Sequence, residues 1–401
     1  MFGQNYGILP LIALEADRLR ERIMAKIHEA NTILFVGAGA SIPFGYQTTD
    51  QFITEIRNMS LDPAETEIFN FYAEAPNATI EDIIRALDIR IKESDNPLLR
   101  QETLLPFRTV AIENAEQKNN LQTQSQELAP NLEKRLSAYK TLKAKIISQL
   151  YISYSDRPEL EKAWEVYKDY IDIVRQRNGD IVPIFTTNYD RVIECLADIH
   201  DSDVNQVVRG FKQQKRGIPR NPIWAPEGVF DQEPKGDKVF LFKLHGSLNW
   251  RIDKRDQLRE AEEGLFELRD LWKENVLIPP GTVDFQYGEP YQSLRTYLEG
   301  YLEKAQTCVV IGYRFDDPTI RDIFVRSLER DLRLIMLNPE AETINADKFP
   351  QFENIACISK RIEEGAENLR ESFRPKEDVT EPSEVPVTEP GAESPPTSTP
   401  E

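Results

Sequence analysis

Apolar positions along this chain follow two rhythms, short continuous runs in some stretches and a three- and four-residue spacing in others. Over residues 9–30 the spacing is helical, with Leu11, Leu14, Leu19, Ile23 and Ile27 separated by charges, which predicts an amphipathic lead-in helix. Residues 32–36 are β-branched and aromatic and stop at a glycine, the pattern of a first strand. From about 52 to 178 no strand-like run occurs. Helical spacing dominates there, clearest over 132–151 and 158–176, and is broken at Pro63, Pro76, Pro97, Pro106 and Pro130. Short apolar runs return at 181–185, 239–244, 276–278, 308–311, 332–337 and 355–359, interleaved with helical stretches at 191–199, 291–305, 318–328 and 361–373. The charged stretch between His245 and the run at 308 reads as helical.

Strand and helix in alternation imply βαβ units, hence a parallel sheet covered on both faces. The predicted fold class is α/β: a Rossmann-like, doubly wound parallel sheet in one domain over residues 1–374, with a large helical insertion at about 52–178. Insertions in such folds arise in loops at one end of the sheet, so this one is expected beside or over the ligand edge. After Phe373 the composition shifts to Pro, Glu, Ser and Thr, and residues 375–401 hold almost no large apolar side chain. Too little surface can be buried there to offset ordering entropy, which predicts a disordered acidic tail.

Composition narrows the function. A net charge of −19 over 401 residues argues against general nucleic-acid binding, which needs a concentrated basic surface. Arg209, Lys212, Lys215, Arg216 and Arg220 form one local basic group, read as a solvated loop or as a phosphate or partner contact. No apolar run approaches the roughly 20 residues of a membrane span. Residues 1–10 lack the basic start and apolar core of a secretory signal, so a cytoplasmic location is expected. Cys195, Cys308 and Cys357 lie too far apart in sequence to suggest a disulfide framework or a C-x-x-C metal site.

Four polar motifs follow strand-like runs. Gly37-Ala38-Gly39-Ala40-Ser41, with Gly45 beyond, follows the first run; a glycine-rich turn between strand and helix lets backbone N–H groups and a helix N-terminus approach a pyrophosphate, although Ile42 stands where G-x-G-x-x-G would place its third glycine. A tight turn alone would also require such glycines. Thr186, Asn188 and Asp190 end the next run, where a ligand of an open α/β sheet sits, yet Asn188 or Asp190 could simply cap the following helix. Lys243-Leu244-His245-Gly246-Ser247 ends a third. Of the three histidines, His28 and His200 fall in helical stretches, which leaves His245 as the acid–base candidate. Gly312-Tyr313 and Asn338-Pro339 leave two later runs, and Asp317-Pro318 has the form of a helix cap.

In this order the motifs resemble the sirtuin family, in particular its bacterial antiphage branch of NAD-hydrolysing effectors. The resemblance rests on Gly37, Ala38, Gly39, Ser41 and Gly45 (G-A-G-x-S-x-x-x-G), on Thr186, Asn188 and Asp190 (T-x-N-x-D), on His245-Gly246, and on Gly312, Tyr313 and Asn338. It implies that NAD is bound as substrate, with the pyrophosphate at Gly37 to Ser41, Asn188 orienting the nicotinamide ribose and a water, Asp190 at the carboxamide and His245 as base. It also implies a homo-oligomer and a separate trigger protein, such as a ring ATPase or an argonaute-like partner. Three departures matter: the paired C-x-x-C zinc ligands of protein-deacylating sirtuins are missing, Gly45 to Asp50 lacks that branch's arginine, and no acyl-lysine groove is evident. The expected activity is therefore NAD hydrolysis to nicotinamide and ADP-ribose without a metal. A zinc-free deacylase or ADP-ribosyltransferase is the alternative, and an idle NAD-binding module a third reading.

Overall fold

The computed structural model describes residues 17–75, 79–95, 115–155, 160–196, 207–212, 222–232, 237–261, 272–277 and 289–374. Seven strands form one sheet, in the spatial order Ile355–Ile358 (β12), Arg333–Leu337 (β11), Thr307–Ile311 (β10), Thr32–Val36 (β1), Ile181–Thr186 (β2), Lys238–Lys243 (β6) and Val207–Val208 (β3). Every neighbouring pair is parallel. The chain enters at the centre on β1, builds outward through β2 and β6, then returns to the far side of β1 for β10 to β12. The direction of winding therefore reverses between β1 and β10, the point at which open α/β sheets take ligands.

Successive side chains of each strand serve opposite faces, which explains why the strands read as unbroken apolar runs. Ile33, Phe35, Phe185, Phe242 and Val310 pack with residues 17–24 (α1), Tyr291–Lys304 (α8), Pro318–Leu328 (α9) and Ala341–Lys348 (α10). Leu34, Val36, Ile184, Leu241 and Val309 pack on the other face with Leu160–Asn178 (α6), Val192–Leu196 (α7) and Ala366–Ser372 (α11). The result is the Rossmann-like α/β fold expected from the alternation.

The helical stretch at 52–178 divides in two. Thr49–Arg57 (α2), Pro63–Ala73 (α3), Ile80–Asp95 (α4) and Ala115–Ser155 (α5) share their own core of Phe52, Ile56, Phe69, Leu87, Leu142 and Ile146. Helix α6 instead lies on the sheet, against β1 and β2. Thr48 and Asp62 open α2 and α3 with complete capping boxes, and Pro63 takes the first turn of α3. Pro130, expected as a break, lies inside α5. A proline inside a helix costs about 3 kcal/mol, and the packing of this 41-residue helix on α3 and α4 outweighs it. Pro76, Pro97 and Pro106 lie outside the described residues, as do the basic positions at 213–220 and the tail at 375–401.

Over its described residues 246–260 and 272–277, the charged stretch after His245 that read as helical is strand instead, and helix returns only at α8. Gly246–Asp253 (β7), Leu258–Glu260 (β8) and Trp272–Leu277 (β9) join Phe211–Lys212 (β4) and Ile223–Trp224 (β5) in an antiparallel sheet, ordered β4, β5, β8, β7, β9. Residues 276 and 277 of the apolar run read at 276–278 end a strand of this second sheet and are no part of the parallel one, and residue 278 lies outside the described residues. Two charged residues of this stretch, Arg259 and Glu260, are buried in ion pairs, Arg259 with Asp253 at 2.5 Å and Glu260 with the half-buried Arg209 at 3.1 Å. The alternation Leu248, Trp250, Ile252 was the strand signal available. Two helices start later than read, α7 at Val192 and the last helix at Ala366, after turns at 362–364; residues 197–199 lie outside the described residues. Among the described residues no helix is long and apolar enough to cross a membrane.

Candidate active site

The turns that follow β1, β2, β6, β10 and β11 leave the same edge of the parallel sheet, and they carry Gly37, Asn188, His245, Gly312 and Asn338. After β1 the chain makes two short 3-10 turns, Ala38–Ala40 and Ile42–Phe44, before α2 begins. No α-helix starts directly at the glycine turn, contrary to the expectation of a helix N-terminus there. The turn is braced against its neighbour across the switch point: Gly37 N–H donates to Ile311 O at 2.8 Å and Gly39 N–H to Gly312 O at 2.9 Å. Ala40 and Ser41 donate to Gly37 O and Ala38 O. A Cβ on Gly37 would lie 2.7 Å from Gly312 O, and one on Gly312 would lie 2.3 Å from Ala40 N. These glycines let two backbones touch, a demand that a ligand alone does not explain.

Beside this turn lies a closed polar chain. Thr186 Oγ1 donates to Val36 O at 2.8 Å and accepts the Asn188 N–H at 3.0 Å, which fixes the end of β2 to β1. Asn188 Nδ2 then donates to Gly37 O and to Ser41 Oγ, both at 3.0 Å. Ser41 Oγ donates onward to Asp190 Oδ2 at 2.7 Å, and Asp190 Oδ1 accepts the Val192 N–H at 3.0 Å. Asp190 thus caps α7 while its other oxygen faces Ser41. Both of Asn188's amide hydrogens are used, but its Oδ1 is buried without a partner among the described residues. A buried carbonyl without a donor costs about 1–3 kcal/mol, so this oxygen is a ready acceptor. Burial pushes the Asp190 carboxyl above its ordinary range, opposed by the Lys243 charge, the Val192 N–H and the Ser41 hydroxyl.

Lys243 ends β6, two residues before His245. Its Nζ donates to Glu194 Oε1 at 2.7 Å and to the carbonyls of Tyr189 and Asp190, while Ser247 Oγ donates to the same Glu194 oxygen at 3.2 Å. The Lys243 and Glu194 side chains are only 3% and 2% exposed. This pair carries no sequence signature, because its halves sit 49 residues apart. It ties the 187–190 turn to the strand that delivers His245. The imidazole is buried, with Nε2 3.3 Å from Asp317 Oδ2 and the Tyr189 ring centroid 6.4 Å away.

The remaining predicted residues are peripheral to this cluster. Gly45 closes the second 3-10 turn at φ +94°, with open space around it. The Tyr313 ring packs between Phe35 and Phe315, at 4.9 and 5.0 Å, so the face it presents is to the core. Asn338 Oδ1 accepts the Glu340 N–H at 2.9 Å and shapes the turn after β11. Cys195, Cys308 and Cys357 are free thiols. Among the described residues no group of three or more His, Cys, Asp or Glu side chains gathers in a metal-binding arrangement.

A doubly wound parallel sheet with its polar turns gathered at the C-terminal edge defines a Rossmann-like α/β protein. Within it, residues 182–358 match the family model of the SIR2-like domain, and over that stretch the chain is sirtuin-like. The matched stretch contains Thr186, Asn188, Asp190, His245, Gly312, Tyr313 and Asn338, and begins after the Gly37 turn. A search of curated proteins found no match. Among solved structures, the chain is similar to a Sir2 homologue in complex with NAD, at 13% identity and a TM-score of 0.37, over 88% of this chain and 95% of that one. It is also similar to a mutant Sir2 homologue in complex with ADP ribose, at 15% identity and a TM-score of 0.38, over 88% of this chain and 99% of that one.

Proposed function

We propose that this chain hydrolyses the nicotinamide–ribose bond of NAD, releasing nicotinamide, ADP-ribose and a proton. The observation that carries the reading is Asn188: its amide nitrogen is locked onto Gly37 and Ser41, and its buried Oδ1 is left to accept a hydrogen bond. A ribose hydroxyl or an attacking water supplies that hydrogen. Asp190 is assigned to the carboxamide, and the turn from Gly37 to Ser41, with Ala38 facing the pyrophosphate, to the phosphates. Gly45, Thr186, Gly312, Tyr313 and Asn338 shape the rest of the cradle. As nicotinamide leaves with the bonding electrons, water oxygen bonds to the ribose carbon and His245 takes up the water's proton. Support comes from the SIR2-like match, which includes Asn188 and His245, and from their meeting at one sheet edge.

The same reading makes the chain a cytoplasmic antiphage effector, a homo-oligomer that depletes NAD when a separate partner triggers it. Incubating the full chain with NAD, alone and with candidate partners, and identifying products by mass spectrometry tests the chemistry. Free ADP-ribose is expected; O-acyl-ADP-ribose or modified protein would instead establish a transferase. Asn188→Ala and His245→Ala are each expected to lower turnover by about 10² to 10⁴, with calorimetric NAD affinity little changed. A His245→Ala variant that retains wild-type turnover removes the assigned base.

A further inference from the structure

We propose that Asp317 is the positioning residue for His245: its Oδ2 accepts the Nε2 hydrogen, so the neutral ring keeps its proton on Nε2 and offers Nδ1 to the reacting hydroxyl or water. This deepens the NAD-hydrolase reading and rests on it for its catalytic consequence. In sequence Asp317 reads as a helix cap, and it is one: Oδ1 accepts the N–H of Thr319 at 2.8 Å and of Ile320 at 3.4 Å, with Pro318 in the first turn of α9. Capping occupies that oxygen alone, and asparagine would serve equally well. The second oxygen points elsewhere, to His245 Nε2 at 3.3 Å, in a contact where the two side chains are 9% and 6% exposed.

Three features make the contact directional. The carboxylate is fixed on the end of a helix, so it cannot follow the ring. Among the described residues His245 Nδ1 makes no hydrogen bond, which leaves Nε2 as the anchored nitrogen. An ionised carboxylate can only accept, so the neutral imidazole must be the donor at Nε2. Burial alone would raise the Asp317 carboxyl, but the hydrogen bond from His245, its charge when protonated, and the Thr319 and Ile320 N–H groups together hold it below the usual range. Asp317 thus stays an acceptor at neutral pH. When Nδ1 takes up a proton, the same carboxylate stabilises the imidazolium.

The test is the tautomer of His245 in the NAD-free full chain, read by nitrogen-15 NMR of histidine-labelled protein. His28→Gln and His200→Gln assign the signals. Wild type is expected to show a protonated Nε2 and an unprotonated Nδ1. In Asp317→Asn the cap persists and the melting temperature moves little, but the amide can donate to the ring and the Nε2–H preference is lost. Turnover of NAD then falls by about 10²-fold or more with KM little changed. Wild-type protein with its proton on Nδ1, or an unaltered tautomer in Asp317→Asn, overturns the proposal without reference to activity. Should the tautomer follow Asp317 while wild type fails to cleave NAD, the pairing stands and the hydrolase reading falls.

Discussion

At Gly312 the backbone sits at φ +65° with a Cβ position 2.3 Å from Ala40 N, so any side chain there meets main chain that cannot rotate away. Gly312→Ala is expected to lower the unfolding free energy by at least about 1–3 kcal/mol from left-handed strain alone, with the clash added to it. Denaturant unfolding without NAD checks this, because the brace is internal; a variant as stable as wild type removes it. Asp190 gives a prediction in pH. Its folded-state carboxyl is raised by burial, so its contribution favours the folded state below the ordinary carboxylate range and is lost as pH rises through the raised value. The difference in unfolding free energy, wild type minus Asp190→Asn, is therefore expected to fall as pH rises above the ordinary carboxylate range. A difference that stays flat, or grows with pH, contradicts the assignment.

At the scale of elements, the Lys243 to Glu194 pair holds β6, α7 and the turn carrying Asn188 in one arrangement. Removing one partner leaves a charge buried alone, so Lys243→Met is expected to cost about 3–5 kcal/mol. Lys243→Met with Glu194→Leu should recover much of that loss, and chemical denaturation of both singles and the double variant measures it as a cycle. Additive losses would show that the pair is not coupled. The α2 to α5 unit has a core of its own, and Leu142 in it is fully buried. Leu142→Ala is expected to destabilise by about 2–5 kcal/mol. Amide exchange should speed within α3, α4 and α5 while the parallel sheet keeps its protection, and uniform loss across both would merge them into one cooperative unit.

For the whole molecule, NAD that binds the folded chain and not the unfolded one adds about 2.7 kcal/mol at a hundredfold excess over Kd. Thermal melting with and without NAD should show this in wild type, Asn188→Ala and His245→Ala alike. Turnover is expected to be indifferent to chelators, since the assigned step uses an amide, a carboxylate, an imidazole and water. Loss on chelation, restored by zinc, would overturn that assignment.

Local signals determined much of this protein in advance. Strands buried on both faces read as apolar runs, glycines and polar residues stood directly after them, and helix caps at Asp62 and Asp317 preceded prolines. Each of these depends on neighbours within a few residues, where sequence spacing and physical distance agree. The tertiary structure alone decided what was paired across the fold. Asp317 meets His245 over a separation of 72 residues and Lys243 meets Glu194 over 49. The second sheet hid because its buried charges, seen singly, do not show their partners: Arg259 meets Asp253 on the neighbouring strand, and Glu260 meets Arg209 in the turn between β3 and β4. A side chain's own type says whether it can cap, donate or accept, but which group stands opposite depends on the packing of distant elements, where burial turns a polar residue's free choice of water into an obligation to one partner.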